Sequence, residues 1–283
     1  MITISYTLLS GKDAAYDANR KLAIFIKNSG IQPVLAVIVV GDNSASAAYV
    51  RGKQKDCEEC NIECRLFKFD ETVTESELIK VINDLNNDDS VDGIIVQLPL
   101  PRHIPISVVQ HISAVKDVDC FRIDNVGRLA TGDISAPLPC TPLGVIKLLS
   151  YYNIDVTGKD CVVIGRSNIV GKPMAMLLTH FGATVTLCHS KTKDLAKHTR
   201  SADIIICAVG KPKFLTSDMV SSKSIVIDVG INRDEHGKLC GDVDFENVSK
   251  VVSAITPVPG GVGLMTRATL LFNVVTAYYI RRG

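Results

Sequence analysis

Three groups of side chains in this sequence combine types and spacings that suit chemistry. Tyr49 and Lys53 stand four residues apart, so on a helix they share a face where a phenol can orient an amine that gives and takes protons. Gln97 closes the apolar run Gly93–Gln97 and is followed by Leu98-Pro99-Leu100-Pro101, a stiff loop whose prolines admit a cis bond. Lys116-Asp117-Val118-Asp119 is a short charged turn. Each group also has an ordinary reading. A Tyr-x-x-x-Lys pair is usually a solvated helix face, Gln97 can simply end its strand, and Asp117 with Asp119 can be a turn or a weak cation site.

A fourth stretch points to a phosphate. Cys161 to Pro173 reads as a buried strand (Val162, Val163, Ile164), a glycine turn (Gly165 to Gly171) and a helix start. Such a turn brings backbone N–H groups and the helix dipole to one place, which favours a dinucleotide, although the spacing departs from G-x-G-x-x-G and an ordinary strand-to-helix turn is the alternative. A helix Pro173–Phe181 and a strand Thr184–Cys188 complete a βαβ unit. An NAD enzyme would place Asp or Glu after that second strand, whereas this chain has His189-Ser190-Lys191-Thr192. With Arg166, these groups suit an extra 2′-phosphate, so the residues favour NADP.

The cysteines support no cofactor of their own. Cys57, Cys60 and Cys64 lack a local fourth ligand for an iron–sulfur cluster, and two of them fall in a predicted helix. Cys140, in Pro139-Cys140-Thr141-Pro142, sits near a helix start where a thiol can be reactive, but buried inert cysteine is the commoner case. It is expected to be structural or pocket-lining, since no histidine lies close to it in sequence.

Parallel α/β elements must position these groups. Lys12–Asn28 has apolar residues at helical spacing, with Gly30 as its stop. The strand Leu35–Val40 leads through Gly41-Asp42-Asn43-Ser44, a capping sequence, into a helix to about Cys60. Strand Glu63–Phe69, helix Glu75–Leu85 and strand Gly93–Gln97 continue the alternation. Prolines near Ala136–Thr141 mark a linker. Beyond it, strands Ile204–Cys207, Ile225–Asp228 and Val251–Ala254 extend a Rossmann-type domain. Two α/β domains with parallel sheets are therefore expected, with ligands beyond the carboxyl ends of the strands.

Composition narrows the function class. The 283 residues are 46% hydrophobic and 22% charged, which fits a globular α/β protein and neither a disordered nor a fibrous chain. A net charge of +1 without a basic stripe leaves no footprint for nucleic acid. No segment is long and apolar enough for a membrane span, and the first residues do not read as a signal peptide. Nine cysteines, an odd number lying mostly in predicted strands and helices, suit reduced thiols in the cytoplasm.

The chain resembles the bifunctional methylenetetrahydrofolate dehydrogenase/methenyltetrahydrofolate cyclohydrolase family over nearly its whole length. The likeness is carried by Tyr49-Val-Arg-Gly-Lys53, Asp92-Gly-Ile-Ile-Val-Gln-Leu-Pro-Leu-Pro101, Lys116-Asp-Val-Asp119, Pro139-Cys-Thr-Pro142, Gly165-Arg-Ser-Asn-Ile-Val-Gly-Lys-Pro173 and Thr256-Pro-Val-Pro-Gly-Gly-Val-Gly263, in this order. The resemblance implies a folate pocket formed by Tyr49, Lys53, Gln97, Leu98, Pro99, Asp119, Pro259, Gly260 and Gly261, with Lys53, Tyr49 and Gln97 catalytic. It implies an NADP site at Thr141, Gly165, Arg166, Ser167, Ile169, Ser190, Lys191 and Ile231, with no metal. It further implies a folate domain 1–138 to which the last helix, about Met265–Arg282, returns, an NADP domain 139–265, and a homodimer.

Two residues depart from the family pattern: Cys120 stands where glycine is usual, and Leu264 where proline is usual. A glycine position often needs positive φ, so the turn beside Asp119 is expected to shift. Two rival readings are a dehydrogenase acting on a shikimate-like keto acid and an NADP-sensing module without chemistry. The first would need clustered basic or hydroxyl groups that the first domain does not plainly show.

Overall fold

The apolar runs Val34–Val40, Gly93–Val96 and Ile204–Cys207 form strands that are buried nearly throughout, as central strands of parallel sheets are. The computed structural model describes residues 6–42 and 44–283, without the side chains of residues 44–46. In chain order the elements are β1 (Thr7–Leu8), α1 (Gly11–Ser29), β2 (Val34–Val40), α2 (Ser44–Glu59), β3 (Glu63–Phe69), α3 (Glu75–Asn87), β4 (Gly93–Val96), α4 (Ile123–Ala130), α5 (Cys140–Tyr151), β5 (Asp160–Ile164) and α6 (Gly171–His180). They continue as β6 (Thr184–Cys188), α7 (Leu195–Ser201), β7 (Ile204–Cys207), β8 (Ile225–Asp228), β9 (Asn232–Arg233), β10 (Leu239–Cys240), α8 (Phe245–Val248), β11 (Ala254–Ile255) and α9 (Val262–Arg282). Asn43, part of the expected cap of α2, lies outside the described residues.

One compact unit comprises Tyr16–Cys140 and Arg267–Gly283. Its parallel sheet has the order β3-β2-β4, with β2 in the centre. Alternate residues of β2 feed two cores: Leu35 and Val37 pack with Ile26, Val50, Leu271 and Val274, while Ala36 and Ile38 pack with Leu78, Ile82 and Val108. α3 is set by a capping box, in which Thr74 and Glu77 satisfy each other's backbone N–H groups.

The second unit comprises the described residues up to Ala15 and Thr141–Thr266. Its sheet is parallel throughout, in the order β1-β11-β8-β7-β5-β6. The winding reverses between β5 and β7, the switch point at which such sheets bind ligands, and the glycine turn follows β5 there.

The structure departs from the sequence reading at three places. The opening residues, expected in the first domain, group with the second half, because β1 pairs with β11 and the Gly11 N–H bonds to the Gly260 carbonyl at 2.8 Å. The last strand is Ala254–Ile255 and not Val251–Ala254, because Val251 and Val252 still donate to Val248 in a helical turn. Cys120 itself takes φ +60°, so the turn beside Asp119 has the left-handed conformation with a cysteine bearing it. That geometry costs an L-residue roughly 1–2 kcal/mol.

The carboxylate of Asp92, wholly buried, ties the end of α9 to the sheet. It accepts from the Val34 N–H at 2.9 Å, from Arg281 Nη1 at 2.7 Å and from Arg282 Nε at 3.0 Å. Removing one partner from such a group strands the other charge. Asp92→Ala is expected to lower stability by about 3–5 kcal/mol, read as a lower urea midpoint at unchanged slope. An unchanged midpoint would show that this tie does not hold the helix.

Candidate active site

The face of α2 that carries Tyr49 and Lys53 is turned inward, and Lys53 is only 5% exposed. Its Nζ donates to Gln97 Oε1 at 3.0 Å and lies 5.3 Å from the centroid of the Tyr49 ring, within cation–π range. Gln97 Nε2 donates to the Leu98 carbonyl at 2.7 Å, which fixes the amide so that its oxygen faces the lysine. The Leu98–Pro99 bond that follows is cis. Burial lowers the Lys53 pKa from its ordinary value of 10.5, and the carboxylate of Asp119 opposes that shift. An amine held this way gives up its proton more readily than a solvated lysine, and its neutral form can accept one.

The charged turn divides its labour. Lys116 reaches back to the carbonyls of Leu85, Asn86 and Asp88, all within 2.9 Å, and caps the end of α3. Asp117 is buried and accepts from the N–H groups of Phe121 and Arg122 and from Asn125 Nδ2, so it organises the chain beyond. Asp119 is the half-buried carboxylate of the turn that faces Lys53. Among the described residues, no group of His, Cys, Asp or Glu is placed to hold a metal ion.

Asn273 on α9 escaped the sequence reading. Its Nδ2 donates to the carbonyls of Val118 at 2.8 Å and Leu138 at 2.7 Å and contacts Cys140 Sγ at 3.4 Å. It thereby pins the residue before Asp119 to the residues around Cys140. The available signal was an amide inside the apolar run Leu270 to Val275. The Cys140 thiol donates to the Val118 carbonyl at 3.2 Å, and burial and then Asp119 push its pKa well above the ordinary 9.0, which leaves it a poor nucleophile. Cys57, Cys60 and Cys64 serve the core. Cys57 and Cys60 are buried, Cys64 packs beside them, and all three are free thiols.

In the other unit, Gly165 has φ +121°, and a Cβ there would meet the Ala208 carbonyl oxygen at 2.1 Å. Only glycine fits this turn. Ser167 Oγ accepts the N–H groups of Val170 at 3.1 Å and Gly171 at 3.3 Å at the start of α6, leaving its own proton to donate. Ile169 is half-buried, and Arg166, Ser190 and Lys191 are exposed. Thr141 Oγ1 meets Thr266 Oγ1 at 3.1 Å, and Ile231 is 60% exposed. The loop after β7 hangs on Asp242, which accepts from the N–H groups of Val209, Gly210 and Lys211, a fixture that sequence alone did not disclose. Pro259, Gly260 and Gly261 lie in the loop before α9 in this same unit.

A buried lysine on one parallel α/β unit and a glycine turn at the switch point of another define a two-domain enzyme with a dinucleotide-binding domain. The sequence profile of the tetrahydrofolate dehydrogenase/cyclohydrolase catalytic domain matches residues 9–119, and that of the same family's NAD(P)-binding domain matches residues 139–282. The chain belongs to the tetrahydrofolate dehydrogenase/cyclohydrolase family. It is 56% identical over 273 residues to the bifunctional protein FolD of Campylobacter jejuni, covering 95% of this chain and 97% of that one. The crystal structure of the bifunctional enzyme FolD from that organism superimposes with a TM-score of 0.93 at 55% identity, covering 98% of this chain and 100% of that one. The Trypanosoma brucei enzyme, complexed with NADP and an inhibitor, gives 0.90 at 34% identity, covering 97% and 98%.

Proposed function

We propose that this protein oxidises 5,10-methylenetetrahydrofolate to 5,10-methenyltetrahydrofolate with NADP⁺ and hydrolyses the product to 10-formyltetrahydrofolate, with Lys53 handling the proton of the hydrolytic step. The observation that carries this reading is the buried Lys53 amine, bonded to Gln97 and facing Asp119. Oxidation moves a hydride and leaves a cation shared by two nitrogens, so it needs alignment more than a base. Hydrolysis differs, because water adds to the cationic carbon and gives up both its protons, one released to solvent and one ending on the ring nitrogen whose bond to that carbon breaks. Lys53 is the amine suited to take a proton from that water, Tyr49 and Gln97 orient that amine, and Asp119 accepts hydrogen bonds from the amino edge of the pterin. Leu98 and Pro99 border the same pocket. The first domain is thus read as the folate domain.

The glycine turn fits a dinucleotide, since a side chain at Gly165 would fill it. NADP is the preferred form because residues 189–192, directly after β6, offer Ser190 and Lys191 and no carboxylate, with Arg166 exposed as a second cation. Gly165, Ser167 and Ile169 would line the turn, and Thr141 and Ile231 would complete the site. Bound NADP⁺ supplies the hydride acceptor. A homodimer in the cytoplasm, without nucleic-acid or membrane partners, completes the reading. The nine free cysteines support the cytoplasm, the net charge of +1 speaks against a nucleic-acid partner, and no helix among the described residues is long and apolar enough to cross a membrane, while the homodimer rests on the family resemblance alone.

Lys53→Met keeps the side chain's length and removes its amine. Cyclohydrolase turnover, followed on methenyltetrahydrofolate supplied directly, is expected to fall at least about a hundredfold, while some NADPH formation from methylenetetrahydrofolate persists. Hydrolysis at the parent rate would remove Lys53 from this role.

Lys191→Glu places a carboxylate where the 2′-phosphate is expected. The ratio of kcat/KM for NADP to that for NAD is expected to drop about tenfold or more, the scale of one charge-assisted hydrogen bond. An unchanged ratio would take Lys191 out of the site.

A further inference from the structure

The face of α2 next to the Lys53 face is also built for a purpose. Gly52 and Asp56 lie four residues apart on it, and both meet Arg267 of α9. Arg267 Nη2 donates to Asp56 Oδ1 at 3.2 Å, and its Nε lies 2.7 Å from Oδ2, an ionic contact off the N–H direction. The guanidinium occupies the notch left by Gly52, where a Cβ would stand 1.8 Å from Nη1 and 2.8 Å from Cζ. Both partners are largely withdrawn from water, with side-chain exposures of 21% for Arg267 and 10% for Asp56.

We infer that Arg267 and Asp56, with the notch at Gly52, are positioning residues for the hydrolytic step. They fix the rotation of α2 about its own axis and so hold Lys53 against Gln97. The argument is geometric. Lys53 directly follows Gly52, so a rotation of the helix that moves one moves the other. The Lys53–Gln97 bond of 3.0 Å ties helix to strand through one flexible amine. A planar guanidinium gripping a carboxylate one turn away, and seated in a gap that admits no Cβ, is stiffer. Lysine at position 267 would supply charge without the fork. The sequence signal is a glycine and a carboxylate at i and i+4 inside a helix, beside an arginine in an otherwise apolar helix face.

This inference rests on the assignment of Lys53 to proton transfer, and the test separates the two. Asp56→Asn, Gly52→Ala and the double variant are compared with the parent and with Lys53→Met. Each protein is first checked for a cooperative thermal transition, and both activities are then measured at saturating substrate. Asp56→Asn and Gly52→Ala are each expected to lower cyclohydrolase kcat about fivefold to twentyfold. KM for methenyltetrahydrofolate and dehydrogenase kcat should stay within about twofold, since hydride transfer needs no amine. The double variant should be no worse than either single one, because both changes release the same guanidinium. Parallel loss of both activities, additive effects, or unchanged hydrolysis in folded Asp56→Asn would overturn the inference. Parent-level hydrolysis by Lys53→Met would instead overturn the assignment on which it rests.

Discussion

A lysine side chain with 5% exposure has surrendered nearly all its water, and its charged form must find compensation from the protein or yield to the neutral one. Among the described residues, the compensation at Lys53 comes from a hydrogen bond to Gln97, the face of Tyr49, the field of Asp119 and the thiols of Cys140, Cys57 and Cys64. That balance is the constraint around which the first unit is arranged. Burial and the nearby Arg281 lower the Lys116 pKa too, but its amine is spent on three backbone carbonyls at the end of a helix. The Lys53 amine instead meets the side chains of Gln97 and Tyr49 and the field of Asp119.

Holding such a buried group requires rigidity from neighbours that do no chemistry. β2 is buried along nearly its whole length and fixes β4, and Gln97 directly follows β4 with its N–H on the Ile38 carbonyl at 2.8 Å. Asp117 and Asn273 hold the turn that presents Asp119 from opposite sides, one through the following backbone and one from α9. The left-handed Cys120 shows that the turn is kept even where its residue is not the one best suited to that conformation.

Much of this was legible in the sequence because it is periodic or punctuated. Strands β3, β6, β7 and β8 have the bounds expected from their apolar runs, and α1 and α2 lie within two residues of their expected ends. The Tyr49, Lys53, Gln97 and Asp119 grouping was legible because each residue ends or follows a strand, where parallel sheets present their ligands. What escaped had no local signature. A two-residue β1 carries no pattern, so the grouping of the opening residues with the second half could only appear in three dimensions. Asn273 contacts residues more than a hundred positions away, and the Asp242 cage depends on backbone N–H groups that every residue possesses. The residues proposed to touch chemistry carry local signals, whereas those that hold them do not, because holding is a long-range relation.

The most direct test of the account is the titration of Lys53 itself, followed by NMR of its Nζ or Cε in protein carrying labelled lysine, with Lys53→Met to assign the signal. The account predicts a midpoint below 10.5, because burial disfavours the cation. It predicts a further fall in Asp119→Asn, because the carboxylate that favours the cation is gone. A midpoint at or above 10.5 that is insensitive to Asp119 would contradict it, since the amine would then be an ordinary stable ammonium with no proton to accept near neutral pH.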